Sequence, residues 1–224
     1  MAASVTARQR REEEIVDATK ALFDERGMQD APMDQIARIV GINRALLYRH
    51  FASKEELYVL TVTRYLDDLE QRLRDAVATG AQDDPRARFE RLCEAYADFC
   101  LEYPAFLDCA LSLMRRPWAD LSAAISAGVS VRLARSMAGC LSITSQLLAD
   151  GTARGVFAID DPDLTANHLY AQGLGAMHLA RVGVGVRERA PGLPEPFEIA
   201  PETVRAAMVA AALALVSPDS PRER

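Results

Sequence analysis

Within residues 33–54, MDQIARIVGINRALLYRHFASK, two short apolar stripes of helical period meet at a single glycine, and few chain paths satisfy both. Met33, Ile36, Ala37 and Val40 recur at three- and four-residue spacing, which predicts an amphipathic helix over residues 33–40. Gly41 follows the last apolar position. Glycine enters the left-handed region without a Cβ penalty, so it closes the helix. Ile42 plugs the turn, and Asn43 offers a side-chain oxygen to the first free N–H groups of a second helix over residues 44–50. That helix turns Leu47 and Phe51 inward and leaves Arg44, Ala45, Leu46, Tyr48 and Arg49 outward or at its margins. It is too short to be stable alone, so packing on its neighbours must hold it. An exposed arginine and tyrosine on a short, rigidly held helix suit nucleic acid, with guanidinium to guanine edges or phosphate and phenol to phosphate or base. The other reading of the same residues is an ordinary helical hairpin with a solvated basic face.

The stretch GINRALLYRHFASKEEL resembles the signature of the tetracycline-repressor (TetR) family of bacterial transcription regulators, through Gly41, Leu47, Tyr48, His50, Phe51, Lys54, Glu55 and Leu57. Upstream, Ile15, Ala18, Leu22, Phe23 and Gly27 fit the family's first helix, and Ile36 with Ala37 its second. The likeness spans roughly the first quarter of the chain; beyond it, only length and helical character agree. It implies an all-α homodimer with an N-terminal three-helix DNA-binding domain over residues 1–53, built on the helix-turn-helix. A helical ligand-binding and dimerisation domain would follow over 54–217, then a disordered tail over 218–224. The implied function is a ligand-responsive transcriptional regulator, most simply a repressor released from a palindromic double-stranded DNA operator by a small apolar effector. No enzymatic activity is implied. Arg44, Ala45, Leu46 and Tyr48 would face base edges, while Arg49, His50 and Lys54 would mainly hold phosphates. An activator whose ligand promotes DNA binding fits the same residues. A helical small-molecule-binding or enzymatic protein that keeps the hairpin as structure only is the rival from another class.

Three positions depart from the family pattern. Pro32 stands where a threonine usually caps the second helix; proline suits a first turn but offers no hydroxyl. Leu46 replaces a frequent threonine and would offer a thymine methyl an apolar contact. Asp34 lies where relatives often carry a basic or polar residue. It complements the start of its helix or accepts from cytosine N4.

The net charge of −6 looks unfavourable for a DNA ligand, but residues 1–55 carry nine basic and nine acidic side chains, so the acidic excess lies beyond them. Local geometry therefore decides, with Arg8, Arg10 and Arg11 either solvated or within reach of a flanking phosphate or minor groove. Cys93, Cys100, Cys109 and Cys140 form no Cys-x-x-Cys pair and read as buried free thiols. His50, His168 and His178 make no metal or catalytic constellation, and no phosphate-cradling glycine loop appears, so neither cofactor nor metal is expected. Residues 1–14 lack the apolar core of a signal peptide and no stretch is long enough for a membrane span; the expected place is the cytoplasm.

Taken in order, residues 1–6 read as a disordered arm, and helices are predicted over 7–26, 54–78, 86–102 and 105–114. Leu66, Leu69, Leu73 and Val77 form the inner stripe of the second of these. Further helix is expected over 121–151 in two pieces, over 162–182 behind the cap Asp161 with Pro162 in the first turn, and over 201–216. In the resembled family the middle helices surround a small-molecule pocket. Phe89, Tyr96, Phe99, Met114, Trp118 and Met137 are the candidate lining here, with Tyr96, Tyr103, Ser136 or His178 as polar anchors. Each aromatic or methionine among them is equally what a plain core contains. Residues 183–200 read as a proline- and glycine-rich loop. Gly173 and Gly175 suggest a close approach of helices, and Val204, Ala207, Met208, Ala211 and Leu215 an apolar stripe. The resemblance places the last two helices in a four-helix dimer interface.

Overall fold

The computed structural model describes residues 2–27, 32–80 and 84–218, with side chains from Ala7 onward. In chain order these form α1 (Ala2–Arg26), α2 (Met33–Ile39), α3 (Arg44–His50), α4 (Lys54–Ala78), α5 (Pro85–Glu102) and α6 (Pro104–Met114). Then come α7 (Trp118–Ala124), α8 (Ala127–Ala153), α9 (Pro162–Val182), β1 (Val184–Ala190), β2 (Leu193–Glu198) and α10 (Pro201–Val216). The arm expected to be disordered over residues 1–6 is helical from Ala2, because α1 runs one continuous helix through it. Most of the α1–α2 loop, the middle of the break after α4 and most of the expected tail (residues 28–31, 81–83 and 219–224) lie outside the described residues. Among the described residues, no helix is long and apolar enough to cross a membrane.

By packing, the chain divides into two compact units. The first comprises α1 to α3, α4 as far as Asp68, α6, α7 and α8 as far as Ala138; the second takes the remainder, so α4 and α8 contribute to both. In the first unit α1 packs on α2 and α6, and α2 on α3. Its core holds Ile15, Leu22 and Phe23 of α1, Met33 and Ile36 of α2, then Leu47, Phe51 and Leu57. Each such side chain contributes about 1.5–3 kcal/mol on burial, which is what holds the seven-residue α3 in place. Tyr65 donates from its hydroxyl to Asp24 Oδ1 at 2.6 Å, and Lys20 Nζ lies 4.6 Å from the Tyr65 ring and 4.4 Å from the Tyr103 ring. The start of α4 is fixed by a reciprocal cap. Ser53 Oγ accepts the Glu56 N–H at 3.0 Å, and the buried Glu56 carboxylate accepts the Ala52 N–H and the Ser126 hydroxyl, each at 2.5 Å.

In the second unit α10 packs on both α9 and α5. Arg205 of α10 donates to Asp98 Oδ1 at 2.6 Å and Oδ2 at 3.1 Å, a two-point grip that fixes the rotation of α10 against α5. Phe89 meets Phe157 edge to face at 5.7 Å. Asp161 caps α9 by accepting the Leu164 N–H at 2.9 Å, with Pro162 in the first turn, as the sequence predicts.

Residues 183–200 are not a loop. They form an antiparallel hairpin in which Val184 pairs with Glu198, Val186 with Pro196 and Glu188 with Pro194. The prolines concealed it, since proline cannot donate to a ladder. Both strands of a two-stranded sheet are edges, however, and Pro194 and Pro196, two apart, share the outer side where no donor is needed. Gly185 lies under the Phe197 ring, where a Cβ would stand 2.7 Å from Cζ. The fold is otherwise all-α, as expected. Of the two α9 glycines only Gly173 marks a close approach; nothing lies within 4 Å of a Cβ at Gly175.

Candidate nucleic-acid interface and core cavity

The turn between α2 and α3 is built as the residues require. Gly41 takes φ +70°, its N–H reaches Arg38 O at 3.2 Å, and the Ile42 N–H reaches Ala37 O at 2.9 Å, closing α2. Asn43 Oδ1 accepts the Leu46 N–H at 2.7 Å and opens α3. Two arginines of α1 then brace the ends of both helices. Arg11 donates to Val40 O at 3.0 Å, and Arg8 to Arg49 O at 3.4 Å, supplying charge where the helix dipole is negative. Arg8 also pairs with Glu12 at 2.8 Å and Arg11 with Glu14 at 2.6 Å. Arg11 is thus tied to the end of α2, while Arg8, 62% exposed, keeps most of its side chain in solvent.

On this frame Leu47 and Phe51 are buried while Arg44, Ala45, Tyr48, Arg49 and Lys54 are exposed, and Leu46 and His50 are half-buried. Arg44 sits 5.6 Å over the Tyr48 ring and 3.4 Å from Asp34 Oδ1, so Asp34 orients the arginine of the outward helix. The Tyr48 hydroxyl and then Asp34 hold the Arg44 guanidinium more firmly protonated than usual. Sequence reasoning had weighed Asp34 only as a helix-start charge or a base contact; a ten-residue separation across a turn gives no periodic signal. His50 Nδ1 stands 3.5 Å from Glu12 Oε1 without making a hydrogen bond. The exposed set offers a group of donors with one aromatic ring, the chemistry that reads base edges and grips phosphate.

The second unit contains a partly open cavity of about 60 Å³. Of the expected lining, Phe89 and Tyr96 are in its wall. Phe99 is fully buried but turns to Arg72, 5.2 Å from the ring, and Met137 is half-buried outside the wall. Met114 and Trp118 are 52% and 53% exposed. Among the expected anchors, Ser136 donates to Asp67 at 2.6 Å, Tyr103 stacks on Lys20 and His178 is exposed; Tyr96 remains. Sequence reasoning missed Leu73, Thr144, Tyr170, Gly173 and Met208 as wall residues, although their helical stripes mark all but Gly173 as inward-facing. The four cysteines are free and buried, as expected, and burial pushes the thiols of Cys93, Cys100 and Cys109 up to about 12. Among the described residues no cluster of His, Cys, Asp and Glu could hold a metal ion.

A glycine-closed turn between two short helices, the second of them presenting exposed basic and aromatic side chains, defines the helix-turn-helix class. Residues 15–60 match the sequence profile of the family described as bacterial regulatory proteins, tetR family. The chain is 37% identical over 92 residues to the HTH-type transcriptional activator FasR of Mycolicibacterium smegmatis, covering 41% of each chain. It is 39% identical over 82 residues to the HTH-type transcriptional repressor KstR2 of Rhodococcus jostii, covering 37% of this chain and 39% of that one. These matches span about two fifths of the curated relatives' length. Over the whole chain the fold is shared. The RolR complex with resorcinol superposes with TM-score 0.68 at 17% identity, covering 96% of this chain and 91% of that one. The ketosteroid regulator KstR2 of Mycobacterium tuberculosis gives 0.56 at 23%, covering 93% and 96%.

Proposed function

We propose that this chain is a ligand-responsive DNA-binding transcriptional regulator that acts in the cytoplasm as a homodimer, and that it is a repressor released from a palindromic operator by a small apolar effector. The observation that carries the reading is α3: a helix held at both ends by Asn43 and Arg8, with its inner side buried, whose exposed residues are Arg44, Ala45, Tyr48 and Arg49. Arg44, Ala45, Leu46 and Tyr48 face base edges in the major groove; Arg49, His50 and Lys54 hold the backbone. Two such helices placed about 34 Å apart, or a multiple of one DNA turn, read the two halves of a palindrome.

The outer sides of α9 and α10 support the pairing. Ala206, Ala207, Ala210, Ala211, Ala214 and Leu215 leave α10 with an exposed face of small apolar side chains. Leu179 and Val182 of α9 are 41% and 53% exposed. Such faces permit close helix packing between two copies. The cavity walled by Phe89 and Tyr96 is the effector site. An effector releases DNA only by binding the released form more tightly than the DNA-bound one, about 10⁴-fold for a full reversal of the population.

The test is selection of genomic fragments by the purified protein, followed by a salt titration on the enriched sequence. Enrichment of a palindrome, with affinity falling steeply as salt rises, is the expected result. Absence of any enriched sequence at low salt, where phosphate attraction is strongest, refutes it.

A further inference from the structure

The wall of the second unit's cavity carries no ionisable acid or base of ordinary pKa near neutrality. Apart from apolar side chains it holds Thr144, Gln172, two tyrosines and the thiols of Cys93 and Cys140. The Cys93 thiol stays protonated, since burial pushes it up to about 12. One polar group in this wall is unspent. Tyr96 is 9% exposed, and its buried hydroxyl finds no oxygen or nitrogen partner within the chain; the weakly polar Cys100 thiol is the group it interacts with most. A buried hydroxyl without a strong partner costs free energy, so a hydrogen-bonding group that arrives from outside the chain is stabilised there. The ring is also placed deliberately. Tyr96 lies edge to face with Tyr170 at 6.4 Å, and Gly173 of α9 provides its seat, because a Cβ there would stand 2.7 Å from Cε1.

Resting on the reading of this cavity as an effector site, we propose that it takes a small neutral molecule with an apolar body and one hydrogen-bonding oxygen, an alcohol, phenol or ketone, whose oxygen is held by the Tyr96 hydroxyl. Anions and cations are excluded by the wall, which has no counter-charge to offset their dehydration. Pure hydrocarbons leave the hydroxyl unpaired. The occupant is small: the cavity of about 60 Å³ is less than half of the ~150 Å³ void that accepts benzene. A ring-sized guest therefore displaces wall residues, of which Leu141, Leu169, Tyr170 and the exposed Gln172 are the least buried.

The experiment measures binding of cyclopentanol, cyclopentane and cyclopentanecarboxylate to the full chain without DNA, by ligand-observed nuclear magnetic resonance, for wild type and Tyr96→Phe. Wild type is expected to bind the alcohol at least about fivefold more tightly than the hydrocarbon, as one buried hydrogen bond implies, and not to bind the carboxylate. Tyr96→Phe is expected to abolish the alcohol's advantage while leaving the hydrocarbon unchanged. Because that variant removes an unpaired hydroxyl, its urea midpoint should equal or exceed that of wild type, which shows that it is folded. Carboxylate binding comparable to the alcohol's, an alcohol preference that survives in Tyr96→Phe, or no binding of the alcohol overturns the proposal. Failure of the regulator reading shows separately, as a chain that discriminates the alcohol through Tyr96 yet enriches no DNA sequence.

Discussion

Gly139 and Gly151, twelve residues apart on α8, pose the same substitution against two different neighbours. An alanine Cβ at Gly139 would run into the Glu70 carboxylate, and one at Gly151 into the Phe157 ring; the third-nearest atom is 3.0 Å away in each case. The overlaps are alike, but what has to move is not. Glu70 is a flexible side chain, 23% exposed and engaged with Arg74 one turn along α4. Displacing it loses about 0.3–0.5 kcal/mol of an exposed pair, while alanine gains up to about 1 kcal/mol of helix propensity, so Gly139→Ala should be neutral to slightly stabilising. Phe157 is 3% exposed and wedged edge to face against Phe89. Pushing a core ring costs about 1–3 kcal/mol, and near the helix end, where Val156 and Phe157 donate back to Gly151 O, the propensity gain is smaller. The two variants should therefore differ by about 2 kcal/mol, or about 4–8 °C in Tm for a chain of this size. Urea midpoints at one protein concentration, checked for equal m-values, measure the difference. Equal shifts, or Gly151→Ala the more stable, would refute the reasoning that the neighbour's freedom sets the sign.

Other expectations follow from the reading head and the thiols. Tyr48→Ala should abolish operator binding while the circular dichroism spectrum and oligomeric state stay unchanged; retained affinity removes Tyr48 from the interface. Asn43→Ala deletes the cap on the Leu46 N–H and should cost about 1 kcal/mol, read as faster hydrogen exchange confined to α3. Cys93, Cys100 and Cys109 have thiols raised from 9.0 to about 12 by burial. The native state thus keeps protons that the unfolded state releases, so their stabilising effect is full below about pH 9 and is lost as pH rises toward about 12. A urea midpoint that falls between pH 8 and pH 10.5, and falls less in a Cys93→Ala, Cys100→Ala, Cys109→Ala variant, is the expected result; identical pH profiles count against it.

The helix-turn-helix was legible almost to the residue, since each of its parts is a local device. Gly41 ends α2 through its own backbone freedom, Asn43 caps α3 through its own side chain, and Leu47 with Phe51 marks the buried side by spacing alone. Pro162 and Asp161 announced α9 in the same way. The hairpin was illegible because the rule against proline in strands holds for inner strands, and nothing in residues 183–200 says that both strands are edges.

What escaped the one-dimensional reading has a common cause. Whether Arg11 faces phosphate or the Val40 carbonyl, whether Asp34 touches DNA or Arg44, and whether Met114 and Trp118 line a cavity or meet solvent all depend on partners far along the chain. Helical spacing decides which residues share a face and where a helix starts and stops, because those follow from torsions and hydrogen bonds within a few residues. It cannot decide what that face meets. Packing does that, and packing alone left the buried Tyr96 hydroxyl with no oxygen or nitrogen partner in a wall without charge.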